Sequence, residues 1–314
     1  MKPLYHFCRI RSFSICLFLF FGIGSEKGHG QQSDTSAPVK SATDTALRAP
    51  IQSVCYVEVN YDDFRNVGYY KLSNGKPLFN IGIIFAANIN YDTTAKAAVL
   101  HYNEQLTRVL ENAATYIKPV QAKGIKVLLS ILGNHQGAGI SNFPTQAAAT
   151  AFARQLCAAV TAYGLDGIDF DDEYAEYGTN GTGQPNAYSF VYLVTALRHL
   201  MPDKIISLYD YGPAADHLSY NGVTVGSMIN YSWNPNYGTY AVPAVPGLTK
   251  AGLAPAAVDI QHTGLDTARL LAAKTVSEGY GSFMFYNLPD GDAHDYLSGV
   301  SYILYKMNSI YLVK

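Results

Sequence analysis

Three features of this sequence predict an α/β fold, a single (β/α)8 barrel of the TIM type. Short apolar runs rich in β-branched residues recur eight times, and stretches with helical spacing separate most of them. The alternation of strand then helix continues from residue 53 almost to the end of the chain, which is the signature of a parallel sheet covered by helices. A doubly wound sheet shares that alternation, but eight strands over this length favour the closed barrel. In order, strands are predicted over 53–59, 79–86, 126–132, 167–172, 204–209, 227–233, 257–261 and 282–288. Helices are predicted over 103–122, 145–163 (TQAAATAFARQLCAAVTAY), 187–201, 266–278 and 293–311, where the apolar spacing is helical. The connections 212–226 and 235–255 lack it, so no outer helix is expected after the fifth and sixth strands. No repeat of fixed period is present.

The domain begins only after a leader. Lys2, Arg9 and Arg11 precede the apolar run 15–23 (ICLFLFFGI), with no acidic residue before Glu26. That run is shorter than the ~20 residues needed to span a bilayer, so residues 1–24 read as a secretory signal peptide, with an uncleaved anchor as the alternative. Residues 25–50, rich in Ser, Thr, Ala, Gly and Gln, read as cleavage region and flexible linker, leaving 51–314 as the catalytic domain. Cys8 and Cys16 fall in the leader; Cys55 and Cys157 are expected as buried free thiols.

Charged residues make up 15% of the 314, against ~25% in an average soluble domain, and hydrophobic residues 48%, which excludes wholesale disorder. A formal net charge of -2 gives no footprint for nucleic acid or an anionic membrane surface, so a neutral partner is expected. The 25 Tyr against 14 Phe and 1 Trp supply aromatic faces that carry hydroxyls. Sugar rings suit such surfaces, and so does ordinary protein surface.

The chemistry concentrates at 165–178, LDGIDFDDEYAEYG. On a strand, alternation places Asp169, Asp171 and Glu173 on one face, with Ile168, Phe170 and Asp172 on the other. Same-face neighbours stand ~7 Å apart along a strand, too close for three ionised acids in a partly desolvated barrel mouth, so some must share protons. A metal could neutralise them, but the Gly and distal Glu of a calcium loop are absent, as is a phosphate loop. Catalysis by a carboxyl kept protonated is the stronger reading, with no metal and no cofactor. Glu173, last on the strand, reaches furthest into the cleft and suits a general acid, with Asp171 and then Asp169 deeper. No zinc, nucleotide or nucleophilic-serine motif competes.

Asp166, Asp169, Asp171 and Glu173 also match the D-x-x-D-x-D-x-E motif of glycoside hydrolase family 18. With KVLLSILGNHQGAG, VTALRHLMPDKIISLY and NPNYGT, the chain from 52 to about 290 closely resembles the endoglycosidase H group of endo-β-N-acetylglucosaminidases within that family. The resemblance implies cleavage of the β-1,4 bond between the two N-acetylglucosamines at the core of high-mannose and hybrid N-linked glycans, with retention through an oxazolinium intermediate. By position it makes Glu173 the acid/base, Asp171 the residue holding the acetamido group, and Asp169 the proton-sharing partner of Asp171. Tyr231, in MINYSWNP, stands where many members place a tyrosine on the acetamido oxygen, with a core tyrosine as the alternative, since M-x-Y-D is altered here. Chitinases usually carry a tryptophan on the last strand; Tyr286 and Asn287 stand there, and the single tryptophan is Trp233, which argues against ordinary chitinase subsites.

Asn134, His135 and Gln136 could bond glycan hydroxyls or shape their loop, and Glu58, Tyr209 and Trp233 are further candidates for the cleft. Glu176 is assigned no role. A chitinase, or a non-catalytic family-18-like carbohydrate-binding protein, is the alternative function. The expected molecule is a monomer without stable membrane insertion, secreted to the extracellular space or periplasm.

Overall fold

In the computed structural model, which describes residues 51–312, parallel strands form a ring. The predicted signal peptide and linker lie outside the described residues. Gln52–Glu58 pairs with Ile81–Asp92 on one side and Ser282–Tyr286 on the other. Lys126–Gly133, Gly167–Phe170, Ile205–Tyr209 and Tyr231–Trp233 follow in chain order. Closure occurs at Pro255. Leu253–Ala254 pairs with Tyr231–Trp233, whereas Ala256–Asp259 pairs with Ser282–Tyr286, so one extended run broken by the proline serves both neighbours. Proline has no N–H for a ladder and sits where the run changes partner. Eight strand positions therefore complete the barrel.

Helices Gln146–Tyr163, Ser189–Leu200 and Leu265–Glu278 agree with expectation to within two residues at each end. The helix predicted over 103–122 is instead three pieces, Glu104–Glu111, Ala113–Tyr116 and Lys118–Gln121. Asn112 leaves helical geometry at ψ 39°, and Pro119 lacks the N–H that would continue the ladder from the preceding turn. The helix predicted over 293–311 is His294–Tyr305; Lys306 turns left-handed, and Ser309–Tyr311 becomes a strand antiparallel to Tyr70–Leu72. The strand predicted over 227–233 is shortened to Tyr231–Trp233, because Val225–Ser227 forms a 3-10 turn.

As expected, no α-helix follows the fifth or sixth strand; Pro213–Asp216 and Lys250–Gly252 are single 3-10 turns. The first crossover also lacks one, holding the 3-10 segment Phe64–Tyr69 and the short strand Tyr70–Leu72, which periodicity had not signalled. Alternation along the strands separates two cores. Val57, Ile84, Leu129, Ile168 and Phe170 pack outward under the helices, while Val54, Tyr56, Ile83, Leu128, Trp233 and Met284 fill the barrel. Cys55 is buried and Cys157 only half-buried, and both are free thiols. No helix among the described residues is long and apolar enough to cross a membrane.

Candidate active site

The acidic strand is fixed at its base before it reaches the chemistry. Asp166, which precedes Gly167–Phe170, accepts hydrogen bonds from the Val127 N–H at 3.0 Å, Gln121 Nε2 at 2.7 Å and Lys126 Nζ at 3.1 Å. Burial raises its pKa, but these three donors outweigh it, so the net shift is downward. The first acid of the motif is therefore a lock between the third and fourth strands and lies outside the cleft.

Asp169 points into the barrel with no exposure. One carboxylate oxygen accepts from Tyr56 Oη at 2.8 Å and Ser130 Oγ at 2.9 Å, the other from Ser207 Oγ at 2.6 Å and Trp233 Nε1 at 3.0 Å. Four donors from four strands fill its acceptor positions. Hydrogen bonds to a charged acceptor contribute about 1.5–3 kcal/mol each, together comparable with the several kcal/mol needed to desolvate a carboxylate. Burial still pushes its pKa upward, while the four donors favour the charged form.

Asp171 is different. It is buried, and its Oδ1 has no hydrogen-bond partner among the described residues. Burial, followed by the charges of Glu173, Asp169 and Asp172, raises its pKa well above the ordinary value. Burial also raises half-buried Glu173. Asp169 and Asp171 share no hydrogen bond among the described residues, although the charge of Asp169 acts on Asp171. Every oxygen of Asp169 is engaged elsewhere, and among its charged neighbours Glu173 acts most strongly on Asp171.

Tyrosines ring these acids. The Tyr209 hydroxyl donates to Pro235 O at 2.7 Å and stands 3.4 Å from the Tyr237 hydroxyl. Tyr237 stacks on Tyr286 at 4.8 Å between centroids, and Tyr286 donates to Glu58. Burial raises the pKa of Tyr209 and of Tyr237, and the charge of Asp171 adds to both shifts, placing these rings beside the catalytic acids. Glu58, Tyr209 and Tyr286 are thus brought together as expected. Tyr237 was not anticipated, although it lies in NPNYGT; buried Asn234 shapes its turn by accepting from the Asn236 N–H at 2.9 Å.

Other candidates land elsewhere. Trp233 is fully buried beneath the acids as a donor to Asp169 and cannot offer a face to sugar. Tyr231 stacks on Trp233 at 5.4 Å and pairs in register with Ser207, which is the packing of the core-tyrosine alternative. Gln136 accepts from the Tyr91 N–H, Asn134 donates to Asn90, and Asn287 donates to Asp259, so these three shape loops. Tyr56, Ser130 and Ser207 were also missed. Each interrupts an apolar strand on its inward face, and Ser130, Asp169 and Ser207 are direct register partners, the one signal that could have found them.

Asp172 faces away from the acids yet organises the mouth. Its carboxylate accepts from Ser141 Oγ at 2.6 Å, the Ala214 N–H at 2.7 Å and the Tyr177 hydroxyl, one donor from each loop after the third, fourth and fifth strands. Burial raises its pKa to about 6. Gly212 meets it closely: a Cβ there would lie 2.3 Å from Asp172 O, and its φ is +73°. Among the described residues, no group of three or more His, Cys, Asp or Glu is arranged to hold a metal ion.

The site is a barrel-mouth carboxyl pair just beyond the end of the fourth strand, and the sequence signature of Glycosyl hydrolases family 18 matches residues 52–232. The chain belongs to family 18. Across 267 residues, covering 85% of this chain and 84% of the relative, it is 56% identical to an endo-β-N-acetylglucosaminidase of Flavobacterium sp. (strain SK1022). It is 34% identical to endo-β-N-acetylglucosaminidase F1 of Elizabethkingia meningoseptica, over 84% of this chain and 79% of that one. Among solved structures, EndoBT-3987 of Bacteroides thetaiotamicron with a Man5GlcNAc product superposes with a TM-score of 0.75 at 29% identity. That match covers 84% of this chain, which spans less than two thirds of the solved chain, at 62%. The family-18 barrel expected from the sequence is therefore the fold, and this chain is a glycoside hydrolase of that family.

Proposed function

We propose that this family-18 hydrolase is an endo-β-N-acetylglucosaminidase that cleaves the di-N-acetylchitobiose core of high-mannose and hybrid N-linked glycans. The observation that carries this reading is the buried, unpartnered Oδ1 of Asp171 beside a half-buried Glu173. An acetamido N–H is the donor that oxygen lacks, and such a group stands on the sugar whose bond is broken. Glu173, whose pKa burial raises, is suited to give a proton to the leaving oxygen. Asp171 holds the acetamide so that its carbonyl oxygen attacks the anomeric carbon, and its charge then stabilises the oxazolinium. Asp169, held by four donors that favour its charged form, is fixed beneath. Glu173 finally takes a proton from the water that opens the ring, and configuration is retained.

The substrate is supported by the two curated relatives and by EndoBT-3987, which was also solved with a Man9GlcNAc2Asn substrate. Buried Trp233, and Tyr286 on the last strand, weigh against a chitinase. The test offers the protein high-mannose, hybrid, complex and chitin substrates and weighs the products. A single N-acetylglucosamine left on the high-mannose glycoprotein is expected; equal or faster release of chitobiose from chitin oligomers reverses the assignment. Lys2, Arg9, Arg11 and the apolar run after them further support secretion after removal of residues 1–24, which N-terminal sequencing of exported protein checks.

A further inference from the structure

Immediately outside Glu173, three exposed side chains from two loops form one ledge. His135 comes from the loop after the third strand, and Tyr174 and Glu176 from the run after the fourth. His135 Nδ1 lies 2.8 Å from Glu176 Oε1, and the His135 ring stands 5.5 Å from that of Tyr174. None of the three is covered: Tyr174 is 49% exposed, and the side chains of His135 and Glu176 are 58% and 53% exposed. All three adopt left-handed backbone, with φ of 55°, 57° and 51°, which L side chains rarely do.

A ladder of main-chain bonds holds them there. The Gly133 N–H donates to Glu173 O at 3.0 Å, the His135 N–H to Tyr174 O at 2.6 Å, and the Gly137 N–H to Ala175 O at 2.7 Å. Only glycine permits the first, since a Cβ on Gly133 would lie 2.3 Å from Glu173 O. The ledge and the acid are therefore one rigid piece of backbone, and a ring resting on Tyr174 is placed relative to the Glu173 carboxyl.

We infer that His135, Tyr174 and Glu176 form a binding site for the leaving half of the substrate, the N-acetylglucosamine that remains on asparagine. The assignment rests on the proposed endoglycosidase activity and adds the residues that receive its leaving group. Tyr209, Tyr237, Tyr286 and Glu58 form one linked cluster on the first, fifth, sixth and eighth strands or their loops, and the charge of Asp171 acts on Tyr209 and Tyr237. The sugar whose acetamide Asp171 holds lies on that side. Its leaving partner must then lie across Glu173, where the ledge begins. A pyranose has an apolar C–H face, which suits the flat ring of Tyr174, and hydroxyls at its edge, which suit a paired imidazole and carboxylate. Glu176 takes one ring nitrogen of His135 and leaves Nε2 to meet a sugar hydroxyl.

The test separates the two halves of the substrate. A preformed oligomannose N-acetylglucosamine oxazoline carries no leaving sugar, yet its hydrolysis still needs a correctly placed Glu173 to activate water. With Tyr174→Ala, cleavage of a high-mannose glycopeptide and transfer from the oxazoline to N-acetylglucosaminyl-asparagine should each fall about tenfold or more, while oxazoline hydrolysis falls less than about twofold. Tyr174→Phe, which keeps the ring, should restore both, and His135→Ala should raise KM for the glycopeptide more than it lowers kcat. An equal loss on the oxazoline, or no loss on the glycopeptide, overturns the ledge. Wild-type protein that leaves the glycopeptide intact would instead refute the activity itself.

Discussion

At the scale of single residues, three consecutive acids differ only in what surrounds each carboxyl. Glu173 is half-buried and desolvation raises its pKa, so Glu173→Gln, which keeps its size and removes its carboxyl proton, should cut turnover by about 10²–10⁴-fold. Asp171→Asn should suppress glycopeptide cleavage while sparing use of a preformed oxazoline, because it is formation of the oxazolinium that needs the carboxylate. Rate measurements on both donors check this, and equal losses would contradict it. Asp172 gives a pH prediction. Its pKa is raised to about 6, so above that pH its charge adds to the repulsion that keeps one proton on the coupled pair of Asp171 and Glu173. In Asp172→Asn that repulsion is gone, the coupled Asp171 and Glu173 release their proton more easily, and the alkaline limb of the kcat/KM profile moves to lower pH. A profile that only loses height, with its limb unmoved, would reduce Asp172 to holding the loops through Ser141, Tyr177 and Ala214.

For the elements, the question is what aims a four-residue strand. Gly167–Phe170 is short, and Asp166 fixes its entry through Val127, Gln121 and Lys126. Because the net effect holds the Asp166 pKa below its ordinary 3.8, the stability it adds is complete above that value and lost as pH falls through the lower folded value. Asp166→Asn should therefore cost about 1–2 kcal/mol near neutral pH. Denaturant unfolding of both proteins should show the gap narrowing toward pH 3, and a gap of constant size would mean that the carboxylate charge is not what locks the strands. The broken helix over Glu104–Gln121 is instructive at the same scale. Its apolar spacing is helical throughout, but periodicity reports which face is buried and is blind to a missing N–H at Pro119.

In the whole molecule, the chain's last strand closes the first crossover. Ser309–Tyr311 pairs with Tyr70–Leu72, Tyr311 packs on Tyr70 at 5.0 Å, and Tyr70 Oη donates to Gly291 O at 2.8 Å in the loop after the eighth strand. A chain ending at Met307 should unfold about 4–10 °C lower while keeping its activity per folded molecule at 25 °C, as thermal scans beside an assay would show. An unchanged midpoint would mean that the pairing adds nothing. Much of this architecture was legible in the chain. Eight apolar runs and the order of strand and helix depend on local periodicity, and the acids on one face follow from alternation along a single strand. The sequence by itself therefore determined the barrel and the place of the acidic run at the end of its fourth strand. Only the tertiary structure decided that Asp169 is held by Tyr56, Ser130, Ser207 and Trp233, that Tyr237 rather than Trp233 lines the cleft, and that Pro255 closes the ring. Those outcomes depend on which donors and rings meet across strands 38 to 113 residues apart, and on which buried oxygen finds no partner. Both are set by packing in three dimensions, which a local pattern does not carry.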